Sequence, residues 1–163
     1  MKDKVLCDTD IISALAKADA LDFLPLVFPD RKFLVTEYVR DELDVSKQEG
    51  FDFPKKVFEF CETTTMDENE LKIYEAIDSL EISKTDLKNL VIAKNRDIPL
   101  LTNDSKLYSE GVRRDIKVYD LRELLRAIYE EDLVSKKELK KVIEKIEEKD
   151  NTHIKKKREI FKK

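Results

Sequence analysis

VLCDTDIISALAK, residues 5–17, decides how the rest of the chain is read. Val5–Cys7 is a short apolar run of the kind found in a strand buried on both faces. Asp8 ends it. Ile11–Ala18 then takes up helical spacing, with Thr9 or Asp10 available as a cap. Working outward, strand-like and helix-like segments keep alternating. Ala20–Val27 reads as helical before Pro29, and Lys32–Val35 as a second strand. Thr36 caps a helix over Glu37–Asp44, and a loop runs on to Pro54. Val57–Cys61 is β-branched and aromatic and reads as a strand. Asp67 with Glu70 makes a capping box for a helix over Asn69–Leu80, and Ser83 with Asp86 opens another that runs to Arg96. Pro99–Thr102 is a strand, Ser105–Glu110 a short helix, Ile116–Tyr119 a strand and Leu121–Glu131 a helix. This alternation predicts an α/β domain with a central, mainly parallel sheet.

Composition narrows the chemistry. The 163 residues carry 32 Lys+Arg and 36 Asp+Glu, a formal net charge of −4. Two glycines exclude a Gly-rich phosphate loop. Two cysteines and one histidine exclude a disulfide framework and the usual zinc sites. No apolar run reaches the roughly 18 residues of a membrane span, and no secretory leader opens the sequence. The expectation is a soluble cytoplasmic protein, without a membrane partner, whose chemistry comes from carboxylates, hydroxyls, Lys or Arg. The charge is also divided. Residues 135–163 hold 12 basic and 6 acidic side chains, leaving 20 and 30 for residues 1–134. Leu139, Val142, Ile143 and Ile146 give Lys136–Lys149 an apolar stripe. The expected organisation is a catalytic-type domain over 1–132 and a basic helical extension over 133–163, packing on the domain or on a second copy. Asn151–Lys163 reads as a frayed tail.

In a parallel α/β sheet the ligand site lies beyond the carboxyl ends of the strands. Asp8 and Asp10 follow the first strand, and Asn103 and Asp104 follow Pro99–Thr102. Glu42 lies in the helix after the second strand, and Asp86 opens the helix before Pro99. Each alone reads equally well as a helix cap or a solvated residue. Together they place carboxylates from four segments at one sheet edge, where mutual repulsion calls for a cation. Oxygen-only ligands favour Mg²⁺ or Mn²⁺.

Three segments, VLCDTDIISALAK, TEYVRDEL and SKTDLKNLVIAKNRDIPLLTNDSKL, resemble a PIN-domain nuclease, with the small prokaryotic, VapC-toxin-like members as the nearest flavour. The resemblance spans Lys4 to Tyr129 and implies a three-layer α/β/α fold. It implies Asp8, Glu42, Asp86 and Asp104 as the catalytic, metal-binding quartet, with Thr102, Asn103 and Asp10 in support. The position of Asp10 is often Asn or Ser in the family. The activity implied is a magnesium-dependent ribonuclease: an ion on Asp8, Asp86 and Asp104 activates water and polarises a phosphodiester oxygen, with Glu42 holding a second ion or ordering its water. The partners implied are RNA, an antitoxin protein and a second copy of the chain. Lys94, Arg96, Lys106, Arg113, Arg114 and the basic tail are the candidates for phosphate contact, each with surface solubility as the plain alternative. Two other functions compete. Asp8-Thr9-Asp10 also begins the haloacid-dehalogenase phosphatase pattern, but Ile12 stands at its fifth position and a later Gly-Asp pair is missing. A PIN-like binding module without catalysis is the non-enzyme alternative, and the intact quartet argues against it.

Overall fold

The computed structural model describes residues 3–77 and 81–162. Five strands form one parallel sheet: β1 (Lys4–Cys7), β2 (Lys32–Thr36), β3 (Glu62–Thr64), β4 (Leu100–Leu101) and β5 (Val118–Tyr119). Their order is β3-β2-β1-β4-β5. The chain therefore works outward from β1 in one direction, then returns to its other side with β4. The gap between the carboxyl ends of β1 and β4 is the place where crossover helices leave on opposite faces, which is where such sheets bind ligands. Cys7 pairs with Leu101 in register, so Asp8 and Thr102 leave the sheet side by side.

Alternation along the strands divides the core into two layers. Val5, Cys7, Phe33, Val35 and Leu101 face one side. There they meet α1 (Thr9–Lys17), α2 (Phe23–Val27), α3 (Glu37–Gln48), α4 (Phe53–Phe60), α8 (Leu121–Glu130) and α9 (Lys136–Lys149). Leu6, Leu34, Leu100 and Val118 face the other side, against α6 (Lys84–Arg96) and α7 (Ser105–Arg113). The three-layer α/β/α arrangement is the one expected. Helix α5 (Glu68–Ala76) packs on α6, fastened by a buried ion pair between Glu70 and Arg96.

Four local expectations need correction. Val57–Cys61 is not a strand. Pro54, Val57, Phe58 and Cys61 recur at helical spacing, and Val57 is buried as part of α4 with Cys61 as its C-cap. The edge strand begins one residue later, at Glu62. Helix α3 extends past Asp44 to Gln48, through residues expected to be loop. Ala20–Val27 is helical only from Phe23. The tail is not frayed: Lys157–Phe161 forms a 3₁₀ turn, and Ile154 and Ile160 are 7% and 0% exposed. Both join the core layer of α8 and α9, which is apolar burial that a polar-looking segment conceals. The last residues of the helix expected over Asn69–Leu80 lie outside the described residues.

Helix ends follow an unusual rule. Asp19, Asp97, Asp115, Asp132 and Asn151, at or one residue past a helix C-cap, stand at positive φ, the left-handed conformation normally given to Gly, as does Asp30 in the turn before β2. Asp and Asn tolerate it better than other side chains. Gly111 is needed for a different reason. It sits in α7 where a Cβ would run into the Cγ2 methyl of Val118 on β5. Gly111→Ala is expected to lower stability by about 1–3 kcal/mol despite the better helix propensity of Ala. Chemical denaturation measures it, and a neutral or stabilising result would show that β5 yields freely.

Candidate functional site

The site is built from caps. Asp8 is the N-cap of α1, and its Oδ1 accepts the Thr9 N–H at 2.8 Å. Asp104 caps α7 and accepts the Leu107 N–H at 2.9 Å. Asp86 lies in the first turn of α6, opened by Ser83. The capping alternative for Asp104 therefore holds, whereas the first helix is capped by Asp8 and not by Thr9 or Asp10, which lie inside it. Each cap holds a carboxylate at the sheet edge while spending part of its hydrogen-bonding capacity.

Threonine hydroxyls tie the segments together. Thr102 Oγ1 donates to Asp8 Oδ2 at 2.8 Å and accepts the Asp104 N–H at 3.1 Å, so it couples the β1 acid to the β4 acid. Thr9 Oγ1 donates to Glu42 Oε2 at 2.6 Å, joining α1 to α3. Asn89 Nδ2 donates to Asp8 Oδ1 at 3.2 Å. Asn89 lies three residues after Asp86 on the same helix face, and that spacing was the available signal for a residue the sequence reading missed. Asn103 turns elsewhere: its Oδ1 accepts the Leu121 N–H at 3.0 Å and pins the loop to the start of α8.

The electrostatics report crowding. Burial raises the carboxyl of Asp8 most, followed by the charge of Asp86. The Thr102 and Thr9 hydrogen bonds pull it down and Asp10 pushes it up, leaving it at about 7. Asp86 is raised by partial burial, then by Asp104, with Ser83 opposing and Glu42 and Asp10 adding. Asp10 is exposed in area but hemmed in. Partial desolvation raises it, then Asp104, Glu42 and Asp150, against Lys17. Acids from four elements thus sense one another.

This donor set fits a hard divalent ion. All its donors are oxygens, its charges repel, and Asn89 Oδ1, next to Asp8, is buried without a hydrogen-bond partner. Among the described residues no three His, Cys, Asp or Glu side chains are drawn into a finished cage.

Four of the expected phosphate contacts are otherwise engaged: Arg113 and Arg114 pair with Glu110 at 3.0 and 3.6 Å, and Arg96 and Lys94 hold other partners. Arg96 is 11% exposed in its side chain and pairs with Glu70 at 2.8 Å. It also donates to Thr64 Oγ1 and to the Thr65 carbonyl. Lys94 donates to the Arg114 carbonyl at 2.7 Å. Among the described residues no helix is long and apolar enough to cross a membrane.

Comparison with known proteins agrees with this architecture. The crystal structure of PAE2754 from Pyrobaculum aerophilum is similar in fold, at a TM-score of 0.53 and 16% identity, covering 78% of this chain and 90% of that one. No curated protein matches the chain. A family model described as a PIN domain matches residues 4–159, from the first strand into the 3₁₀ turn. With the acids of β1, α3, α6 and β4 converging on the switch point of a five-stranded parallel sheet, that match makes the chain a member of the PIN-domain family, whose fold is that of nucleases.

Proposed function

We propose that this PIN-domain chain is a Mg²⁺- or Mn²⁺-dependent ribonuclease that hydrolyses phosphodiester bonds of single-stranded or structured RNA. The observation that carries the reading is the mutual pressure among Asp8, Asp86, Asp10 and Asp104 at the switch point, which a divalent cation relieves. Family membership sets aside the phosphatase alternative.

Asp8, Asp86 and Asp104 would hold the ion, with Glu42 completing the set. When bound, the ion supplies Lewis acidity toward a phosphate oxygen and lowers the pKa of water. The remaining work belongs to the chain. Thr102 keeps Asp8 and Asp104 in fixed relation through one hydroxyl. Thr9 fixes the position of Glu42. Asn89 holds Asp8 from the α6 side and keeps a free acceptor at the buried edge of the site. Hydrolysis by water leaves a 5′-phosphate and a 3′-hydroxyl.

The direct test is cleavage of a labelled RNA by purified protein in Mn²⁺, abolished by EDTA and restored by added metal. Cleavage that survives EDTA and dialysis would sink the reading. Stability should report the same ion. The Asp8 carboxyl ordinarily titrates near 3.8 and is held at about 7 in the fold, so the folded state binds that proton more tightly than the unfolded chain. Stability of the metal-free protein therefore falls as pH rises through this interval, and the penalty is complete above it. Mn²⁺ competes with the proton. The rise in melting temperature on adding Mn²⁺ is expected to be larger at about pH 8 than at about pH 5.5. Equal shifts at both pH values, or none, would count against these ligands.

A further inference from the structure

The acidic centre leaves the RNA backbone without an obvious cationic partner, and phosphate contacts supply most of the affinity in nucleic-acid binding. The C-terminal segment meets that need. A cavity of about 400 Å³ lies between the start of α8 and residues 152–155. Its lining includes Asn103 and Ser105, which bracket Asp104. A second cavity of about 480 Å³ shares His153 and Ile154 with the first and runs on past Lys156 and Arg158 to Lys162. The two form one trough that starts beside Asp104 and leads away along the tail. Arg122, Lys155, Lys156, Lys157, Arg158 and Lys162 line it, against only Asp120 and Glu159.

The trough is built rather than merely charged. Ile154 and Ile160 are buried on either side of the basic run. The Ile154 N–H donates to Glu147 Oε2 at 3.0 Å, and Lys157 Nζ donates to Glu147 Oε1 at 2.9 Å. Phe161 packs edge-on against Tyr129, with ring centres 5.3 Å apart. Lys156 takes a left-handed backbone at φ 55° between the anchors. Arg122 is occupied by Glu159 at 3.3 Å. Among the described residues Lys155, Lys156 and Arg158 are exposed and have no acidic partner.

We propose that this trough binds the phosphodiester backbone of single-stranded RNA on one side of the bond to be cut, with Lys155, Lys156 and Arg158 as phosphate contacts. The assignment rests on the ribonuclease reading for the nature of the strand. It also gives the charge division of the sequence a physical use: acids gather the ion and the separate basic segment holds the polymer.

The test compares the full chain with Lys155→Ala/Lys156→Ala/Arg158→Ala and with a control of equal charge change, Lys137→Ala/Lys141→Ala/Lys149→Ala on α9, outside both cavities. Fluorescence anisotropy of a labelled single-stranded RNA in EDTA measures binding across a salt series. The trough variant should bind about tenfold or more weakly at low salt, and its log–log salt slope should be smaller by about 2, since three single-strand contacts contribute roughly 0.7 each. The control should bind like the unaltered chain. In Mn²⁺ the trough variant should show a raised KM with kcat retained, and the difference should vanish on a dinucleotide substrate too short to enter the trough. A trough variant that binds and cleaves like the unaltered chain overturns the proposal, as does a control that weakens binding equally. RNA binding through the trough without cleavage in either metal overturns the ribonuclease reading and leaves the trough standing.

Discussion

Asp86→Asn is expected to lower RNA cleavage by about a thousandfold, about 4 kcal/mol of barrier, while leaving the metal-free fold at least as stable as before. Asp86 is half-buried, its backbone N–H is held by Ser83, and its carboxylate faces the charges of Asp104, Glu42 and Asp10. Asparagine has the same shape and no charge. It keeps a carbonyl for the Ser83 hydroxyl and removes the largest charge that raises Asp8. Activity and stability should therefore move in opposite directions, the pattern expected where repulsion kept for function costs the fold stability. Asp104→Asn should behave similarly, because asparagine caps a helix as well as aspartate does. Steady-state cleavage in Mn²⁺ and a thermal melt in EDTA read the two quantities. Retained cleavage would remove Asp86 from the site. Loss of cleavage together with a large loss of stability would mean that the acid serves the fold.

Arg96→Ala should produce the largest loss of stability, about 3–5 kcal/mol against the roughly 5–15 kcal/mol that holds a typical domain together. Glu70 has no exposed side-chain surface. Burial pushes its carboxyl up, but Arg96, the Asp67 N–H and Asn95 outweigh that and hold it below the ordinary carboxylate range. Its contribution is thus present above the ordinary Glu value and is lost as pH falls through the depressed one. Arg96 donates to both Glu70 oxygens at 2.8 and 2.9 Å, to Thr64 at the end of β3 and to the Thr65 carbonyl just after it. Removing it strands a buried charge and frees the β3–α5 connection at once. Chemical denaturation should show the loss, and Glu70→Leu/Arg96→Met should recover much of it by removing both charges. A double variant as unstable as Arg96→Ala would mean that the Thr64 and Thr65 contacts carry the effect.

The sequence disclosed the sheet because its strands are buried on both faces, so Val5–Cys7, Lys32–Val35 and Leu100–Leu101 read as apolar runs. It failed at Val57–Cys61 because β-branched and aromatic residues at helical spacing satisfy both patterns over five residues. Asp8, Asp86 and Asp104 could be placed near one sheet edge because each sits at or within a turn of a helix start, where spacing is legible; Glu42 lies mid-helix and carried no such signal. Asn89 was hidden because it looks like any polar helix residue until Asp8 is seen opposite it. The role of Arg96 was hidden because a buried ion pair joins residues 26 apart. Ile154 and Ile160 were hidden by the lysines around them.

The aspartates at positive φ bear on the unfolded chain more than on the folded one. A chain with only two glycines has few freely turning joints, so its denatured ensemble is narrower than that of a chain with Gly at every helix end. Gly at those positions would relieve local backbone strain of about 1 kcal/mol, yet it would return to the unfolded state an entropy of similar worth. Part of whatever stability the fold has is expected to come from the conformations that the chain, once melted, is unable to visit.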